Sequence, residues 1–214
     1  MTSNLFTIYH KKAVRVALVL SCIPFTRMIA INGSLASGKI TKNSDIDFFI
    51  ITQQNRLWLT RLLITLILDL GLLRAKKNSH RGKICLNHLL TNEKYLLNRQ
   101  DDYNAYQYSH LIVLYSTNNT YQEFIKKNQW MNKYYKNCGI IESIKSQNQL
   151  VKRLFEKILF NWFGDFIENV CRAWQVWRIK HNSFFHQKDS VLMISDQEFY
   201  YYTKVSRKYH LWGK

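Results

Sequence analysis

The sequence predicts an α/β (α+β) protein, with a mixed sheet and its helices in the N-terminal part and a helical C-terminal region after it. Three observations carry this. Residues 45–52 (DIDFFIIT) alternate at first and then become wholly apolar, as a strand covered on both faces does. Two more strand-like runs, 25–31 (FTRMIAI) and 83–90 (KICLNHLL), lie either side of it. Residues 148–180 carry apolar side chains at three- and four-residue steps, the period of a helix.

In chain order, residues 9–22 read as a helix that Pro24 stops. The strand 25–31 runs into a turn at Asn32-Gly33-Ser34, and the polar stretch 37–44 reads as a loop into the strand 45–52. Residues 55–73 read as a mostly buried helix, on which Arg61, Thr65 and Asp69 recur every four residues as one narrow polar stripe. A basic loop over 74–83 leads to the strand 83–90. Residues 102–115 and 120–130 look helical. In 148–180 the stripe from Val151 through Phe155, Ile158, Trp162 and Phe166 to Trp177 is expected to face the core, with Gly164 as a bend. A short helix over 196–211 closes the chain. The texture changes near residue 100, which suggests two parts, 1–100 and 101–214.

Composition sets outer bounds. The chain has 214 residues, 47% of them apolar, so a core can form and global disorder is excluded. Lys and Arg number 31 against 14 acids, a net charge of +17 without a basic tail. The densest run is Arg74, Lys76, Lys77, Arg81 and Lys83, with His80 inside it. A polyanionic partner, RNA or DNA, and a set of solvated faces both fit that charge. Cys22, Cys85, Cys138 and Cys171 form no CxxC pair, so neither a zinc site nor a disulfide framework is indicated, and a reducing, cytoplasmic setting is expected. No membrane segment is expected. Residues 13–23 are interrupted by Arg15, and 57–73 carry Arg61 and Asp69, each costing about 2.5–3.5 kcal/mol near a bilayer centre.

Chemistry concentrates in residues 31–51 (INGSLASGKITKNSDIDFFII). Side chains at i and i+2 of a strand share a face, so Asp45 and Asp47 point the same way. Two like charges so close repel unless a cation lies between them, and a hard divalent ion takes oxygen ligands. Gly33 lets the backbone turn tightly, and Ser34 offers a hydroxyl and an N–H to phosphate oxygens. A rival motif overlaps: Gly33 to Lys39 (GSLASGK) meets all but the last position of a P-loop. Ile40 replaces the required hydroxyl, and the loop runs into a strand rather than a helix. Lys39 is retained as a phosphate-facing candidate.

The pattern Ile31-Asn32-Gly33-Ser34, then Ser44-Asp45-Ile46-Asp47-Phe48, resembles the signature of the DNA polymerase β superfamily of nucleotidyltransferases in type, order and spacing. The segments 56–63 and 83–90 also look like those of bacterial nucleotidyltransferase domain proteins. The resemblance implies a nucleotidyltransferase-type mixed sheet. It implies that Asp45 and Asp47 hold two Mg²⁺ ions about 3.5–4 Å apart. It further implies that Gly33 and Ser34, with Ser44 and Lys39 nearby, bind a nucleoside triphosphate whose nucleotidyl group moves to an acceptor hydroxyl. One departure stands out. The superfamily usually places a third carboxylate on a later strand, and KICLNHLL has none. Asn87 on one face, His88 on the other, and Glu93 or Asp101 from the following loop are the candidates to stand in. The alternative is a non-catalytic, antitoxin-like protein on the same fold that binds nucleotide or nucleic acid.

Overall fold

The computed structural model describes residues 2–76, 79–136, 139–142, 144, 149–186 and 190–203. In chain order the elements are α1 (Thr2–Ser21), β1 (Thr26–Asn32), α2 (Gly33–Ala36), β2 (Ile46–Thr52), α3 (Leu57–Leu70), β3 (Ile84–Thr91), α4 (Asp102–Ser109), β4 (Ile112–Ser116), α5 (Thr120–Lys127), β5 (Ile140–Ile141), α6 (Gln149–Leu159), α7 (Trp162–Lys180), β6 (Ser190–Ile194) and β7 (Glu198–Thr203). The strands form one mixed sheet in the order β5-β4-β1-β2-β3-β7-β6, with β2 at its centre. Strand β2 runs antiparallel to β1 and parallel to β3.

Helices cover both faces, which explains the uninterrupted apolar run in β2. Ile29, Ile31, Phe48 and Ile50 pack on one side against Ala17 and Leu20 of α1 and Trp58, Ile64 and Leu68 of α3. Met28, Ala30, Phe49 and Ile51 pack on the other against Tyr108 of α4 and Phe124 of α5. Strict alternation along β1 and β2 therefore sorts each residue to one of two cores.

Gly33-Ser34, expected in a turn, open the short helix α2, which the Asn32 side chain caps by accepting from the N–H of Gly33. Three longer elements are also corrected. Residues 190–203 form the hairpin β6–β7 instead of a helix, and β7 pairs with β3. The run Tyr200–Tyr202 alternates across the sheet, an arrangement that aromatic residues favour. The rest of the expected helix, 204–211, lies outside the described residues. Residues 112–116 are a strand beside β1, so only the first part of 102–115 is helical.

The third correction is the largest. The run 148–180 breaks at Phe160-Asn161, where the Asn161 side chain accepts from the N–H groups of Phe163 and Gly164 and caps α7. Its apolar stripe points outward: Leu154, Ile158, Trp162, Phe166, Val170 and Trp177 are all exposed. The opposite, polar face points in. Lys152 donates to the carbonyls of Ser21 (3.0 Å) and Thr26 (2.6 Å) and to the hydroxyl of Tyr115 (3.0 Å). Glu168 accepts from the N–H groups of Trp58 (2.7 Å) and Leu59 (2.8 Å), capping α3, whose own N-cap residue Arg56 makes no side-chain cap. Gln175 donates to the carbonyl of Trp58. The interior here presents backbone groups at the ends of α1 and β1 and at the start of α3, so the helices turn their hydrogen-bonding faces to it. Gly164 serves close approach, since a Cβ there would collide with the carbonyl of Leu159.

Candidate active site

The ends of β1, β2 and β3 meet at a cavity of about 310 Å³. Gly33, Ser34, Asp45, Asp47, Cys85 and Asn87 all line it. Asp47 lies opposite Asn32 of β1 and opposite Cys85 of β3, so the sheet register places the carboxylate between the Gly-Ser turn and the thiol. Asp45 stands one residue ahead of β2 and reaches the same space. Gly33 has φ +70°, a left-handed conformation that favours glycine, and a Cβ there would overlap Oδ2 of Asp47. Glycine is thus needed at 33 for both conformation and space.

Ligand atoms of Asp45, Asp47 and Cys85 all lie within 4.8 Å of one another. Asn87 donates from Nδ2 to Oδ1 of Asp47 at 2.7 Å. Burial raises the pKa of Asp45, opposed by hydrogen bonds from its own N–H and from the Cys85 thiol. Burial and the neighbouring Asp45 charge push Asp47 well above the usual carboxylate range, with the Asn87 amide pulling the other way. Burial, then the two carboxylates, drive the Cys85 thiol up. Burial is the main cause of each shift, and for Asp47 and Cys85 neighbouring negative charge adds to it. A divalent cation would relieve all three, and the donors fit one: two carboxylates and a sulfur converge on one point.

Cys85 occupies the place on the neighbouring strand where a third acid was sought. Asn87 turns its amide N–H to Asp47. His88 does not lie on the opposite face from Asn87. A bulge pairs Phe48 with Leu86 and Phe49 with His88, so Asn87 is the extra residue and both side chains reach the cavity. His88 is also committed: Nε2 meets Glu198 at 3.2 Å and Nδ1 meets the Tyr108 hydroxyl. Burial lowers the His88 pKa, opposed by the hydrogen bond to Glu198 and its charge. Glu93 is exposed, and Asp101 accepts from the N–H of Asn104 to cap α4.

Two other sequence candidates lie outside the cavity wall. The N–H of Thr41 donates to the Ser44 hydroxyl at 3.0 Å, which closes the preceding turn. Lys39 places its ammonium 4.9 Å from the ring centre of Tyr106. The rest of the wall comes from Tyr103, Gln107 and Tyr108 of α4 and Tyr200–Tyr202 of β7. No local signal marked these, because both elements reach the site through sheet pairing and packing.

A mixed sheet that brings a Gly-Ser turn against paired aspartates is the architecture of a nucleotidyl-transfer domain. The family model for the nucleotidyltransferase domain matches residues 23–160, more than half of the chain, and the protein belongs to that family. No curated protein matches it. Among the described residues, no helix is long and apolar enough to cross a membrane.

Proposed function

We propose that the protein transfers a nucleoside monophosphate from a nucleoside triphosphate to an acceptor hydroxyl, with a divalent cation held by Asp45, Asp47 and Cys85. The observation that carries this reading is the convergence of those three side chains with Gly33 and Ser34 on one cavity. When bound, the cation, Mg²⁺ by the superfamily resemblance, with two ions expected, neutralises charge on the phosphates. Gly33 and Ser34 seat the phosphate tail. Asn87 holds the Asp47 carboxylate in place, and the tyrosines of α4 and β7 wall the cavity. The acceptor oxygen forms a bond to the α-phosphorus. The bond from that phosphorus to the pyrophosphate oxygen breaks, pyrophosphate leaves with the electron pair, and the hydroxyl proton passes to water.

The test is incubation with triphosphates labelled at the α-phosphate, Mg²⁺ or Mn²⁺, and cell extract. Label should appear in an acceptor with wild type and not with Asp47→Asn. Nucleotide binding without any transfer would instead favour the non-catalytic, antitoxin-like alternative. An RNA or DNA acceptor would use the run 74–83, and replacing Lys76 and Arg81 should then flatten the salt dependence of binding.

A further inference from the structure

We propose that the cleft between α3 and α7 is a phosphate-binding site, and that it seats the phosphate group of a small-molecule acceptor beside Asp45. The second clause rests on the nucleotidyl-transfer reading; the first does not.

The cleft encloses about 330 Å³ and is lined by Arg61, Thr65, Arg74, Lys76, Trp174 and Arg178. Arg61 is only 8% exposed, and among the described residues it makes no ion pair. Its Nη1 donates to the neutral Oε1 of Gln175 at 2.7 Å, and its guanidinium lies 4.1 Å from the ring centre of Phe199. Nε of Arg61 and Oγ1 of Thr65, itself 7% exposed, are buried with no hydrogen-bond partner. Burying a cation without an acid is unfavourable, and orphaned donors add to that. Burial and the charges of Arg74 and Arg178 lower the Arg61 pKa to about 9. Asp69 offsets part of this at the rim, meeting Arg74 at 2.9 Å and Lys76 at 3.7 Å. Arg61 and Arg178 are left for an oxyanion, which guanidinium groups recognise through paired hydrogen bonds.

A second cavity of about 290 Å³ shares Arg61, Thr65 and Arg74 with this cleft and is also lined by His80, Cys85 and Asp45. A molecule with its phosphate on the arginines can therefore extend toward Asp45. Leu62, Trp174 and Ile179 give the cleft an apolar wall, and its volume suits a small organic phosphate rather than a bare ion.

The test uses the full chain without metal and inorganic phosphate as the probe, followed by calorimetry. Wild type should bind phosphate saturably, Arg178→Ala at least tenfold more weakly, and Arg61→Met not at all. Arg61→Met should melt no lower than wild type without phosphate, because it removes an unpaired buried charge. Asp47→Asn should bind phosphate as wild type does, which separates this site from the metal site. Absent binding, or binding unchanged by Arg178→Ala, overturns the site whatever becomes of nucleotidyl transfer.

The acceptor clause is tested with a small-molecule cell extract, with and without prior phosphatase treatment, and a triphosphate labelled at the α-phosphate. Label should appear in a small molecule from the untreated pool alone, and less with Arg178→Ala. Labelling that survives phosphatase overturns the clause, as does labelling confined to a polynucleotide, or displacement of phosphate from the cleft by the triphosphate. So does the absence of any product while Asp47-dependent nucleotide binding persists. Loss of that nucleotide binding as well overturns the transfer reading, and the acceptor clause falls with it.

Discussion

Asn87 donates to Oδ1 of Asp47 at 2.7 Å, while Oδ2 of the same carboxylate occupies the space a Cβ on Gly33 would need. One oxygen is thus held by an amide, and the other sits where only glycine lets it fit. Asn87→Leu should remove about 1–2 kcal/mol of support for the charged carboxylate. Mn²⁺ binding by calorimetry should weaken roughly tenfold with the melting temperature little changed. Unaltered Mn²⁺ affinity would show that the amide does not position Asp47.

The raised carboxyl pKa values give the metal-free protein a signed pH dependence. Asp45 and Asp47 titrate above their ordinary 3.8 in the folded chain, so that chain holds protons the unfolded chain has released. Their contribution is fully present below about pH 4 and is lost as pH rises through the raised values. In chelator, the melting temperature of wild type should fall relative to Asp47→Asn as pH increases across that window. Added Mn²⁺ should restore wild type at the upper end and leave the variant unmoved. Parallel pH profiles for the two proteins would show that the Asp47 carboxyl does not titrate above its ordinary value.

Cys85 as third ligand predicts a metal preference. Thiolate ligands favour Co²⁺ and Zn²⁺ over Mg²⁺, whose preferred ligands are oxygen. Co²⁺ should produce a near-ultraviolet sulfur-to-metal absorption that Cys85→Ser lacks. Cys85→Asp should lose that band and bind Mg²⁺ more tightly than wild type. Equal bands in wild type and Cys85→Ser would assign the sulfur elsewhere.

The orientation of α6 and α7 predicts unequal costs on their two faces. Glu168→Ala leaves two buried N–H groups at the start of α3 without acceptors, and should destabilise by about 2–4 kcal/mol in denaturant titration. Trp162→Gln and Phe166→Gln alter exposed side chains and should change stability by no more than about 0.5 kcal/mol. A large loss from either aromatic substitution would mean that the outward face is packed.

The sequence alone determined the short-range part of the site. Gly33, Ser34, Asp45 and Asp47 belong to one strand-turn-strand segment, where strand alternation decides side-chain direction. The same local logic made β1, β2, β3 and α3 legible. Tertiary structure decided the rest, for three physical reasons. A bulge in β3 reverses alternation after Asn87, and no local pattern marks it, so His88 shares a face with Asn87 instead of lying opposite it. Strand pairing is non-local, so Tyr200–Tyr202 became a strand only by finding β3 and β6. Helical periodicity reveals that α6 and α7 each have an apolar face, not which way it turns. The open carbonyls of Ser21 and Thr26 and the uncapped start of α3 drew Lys152 and Glu168 inward and left the aromatic stripe outside.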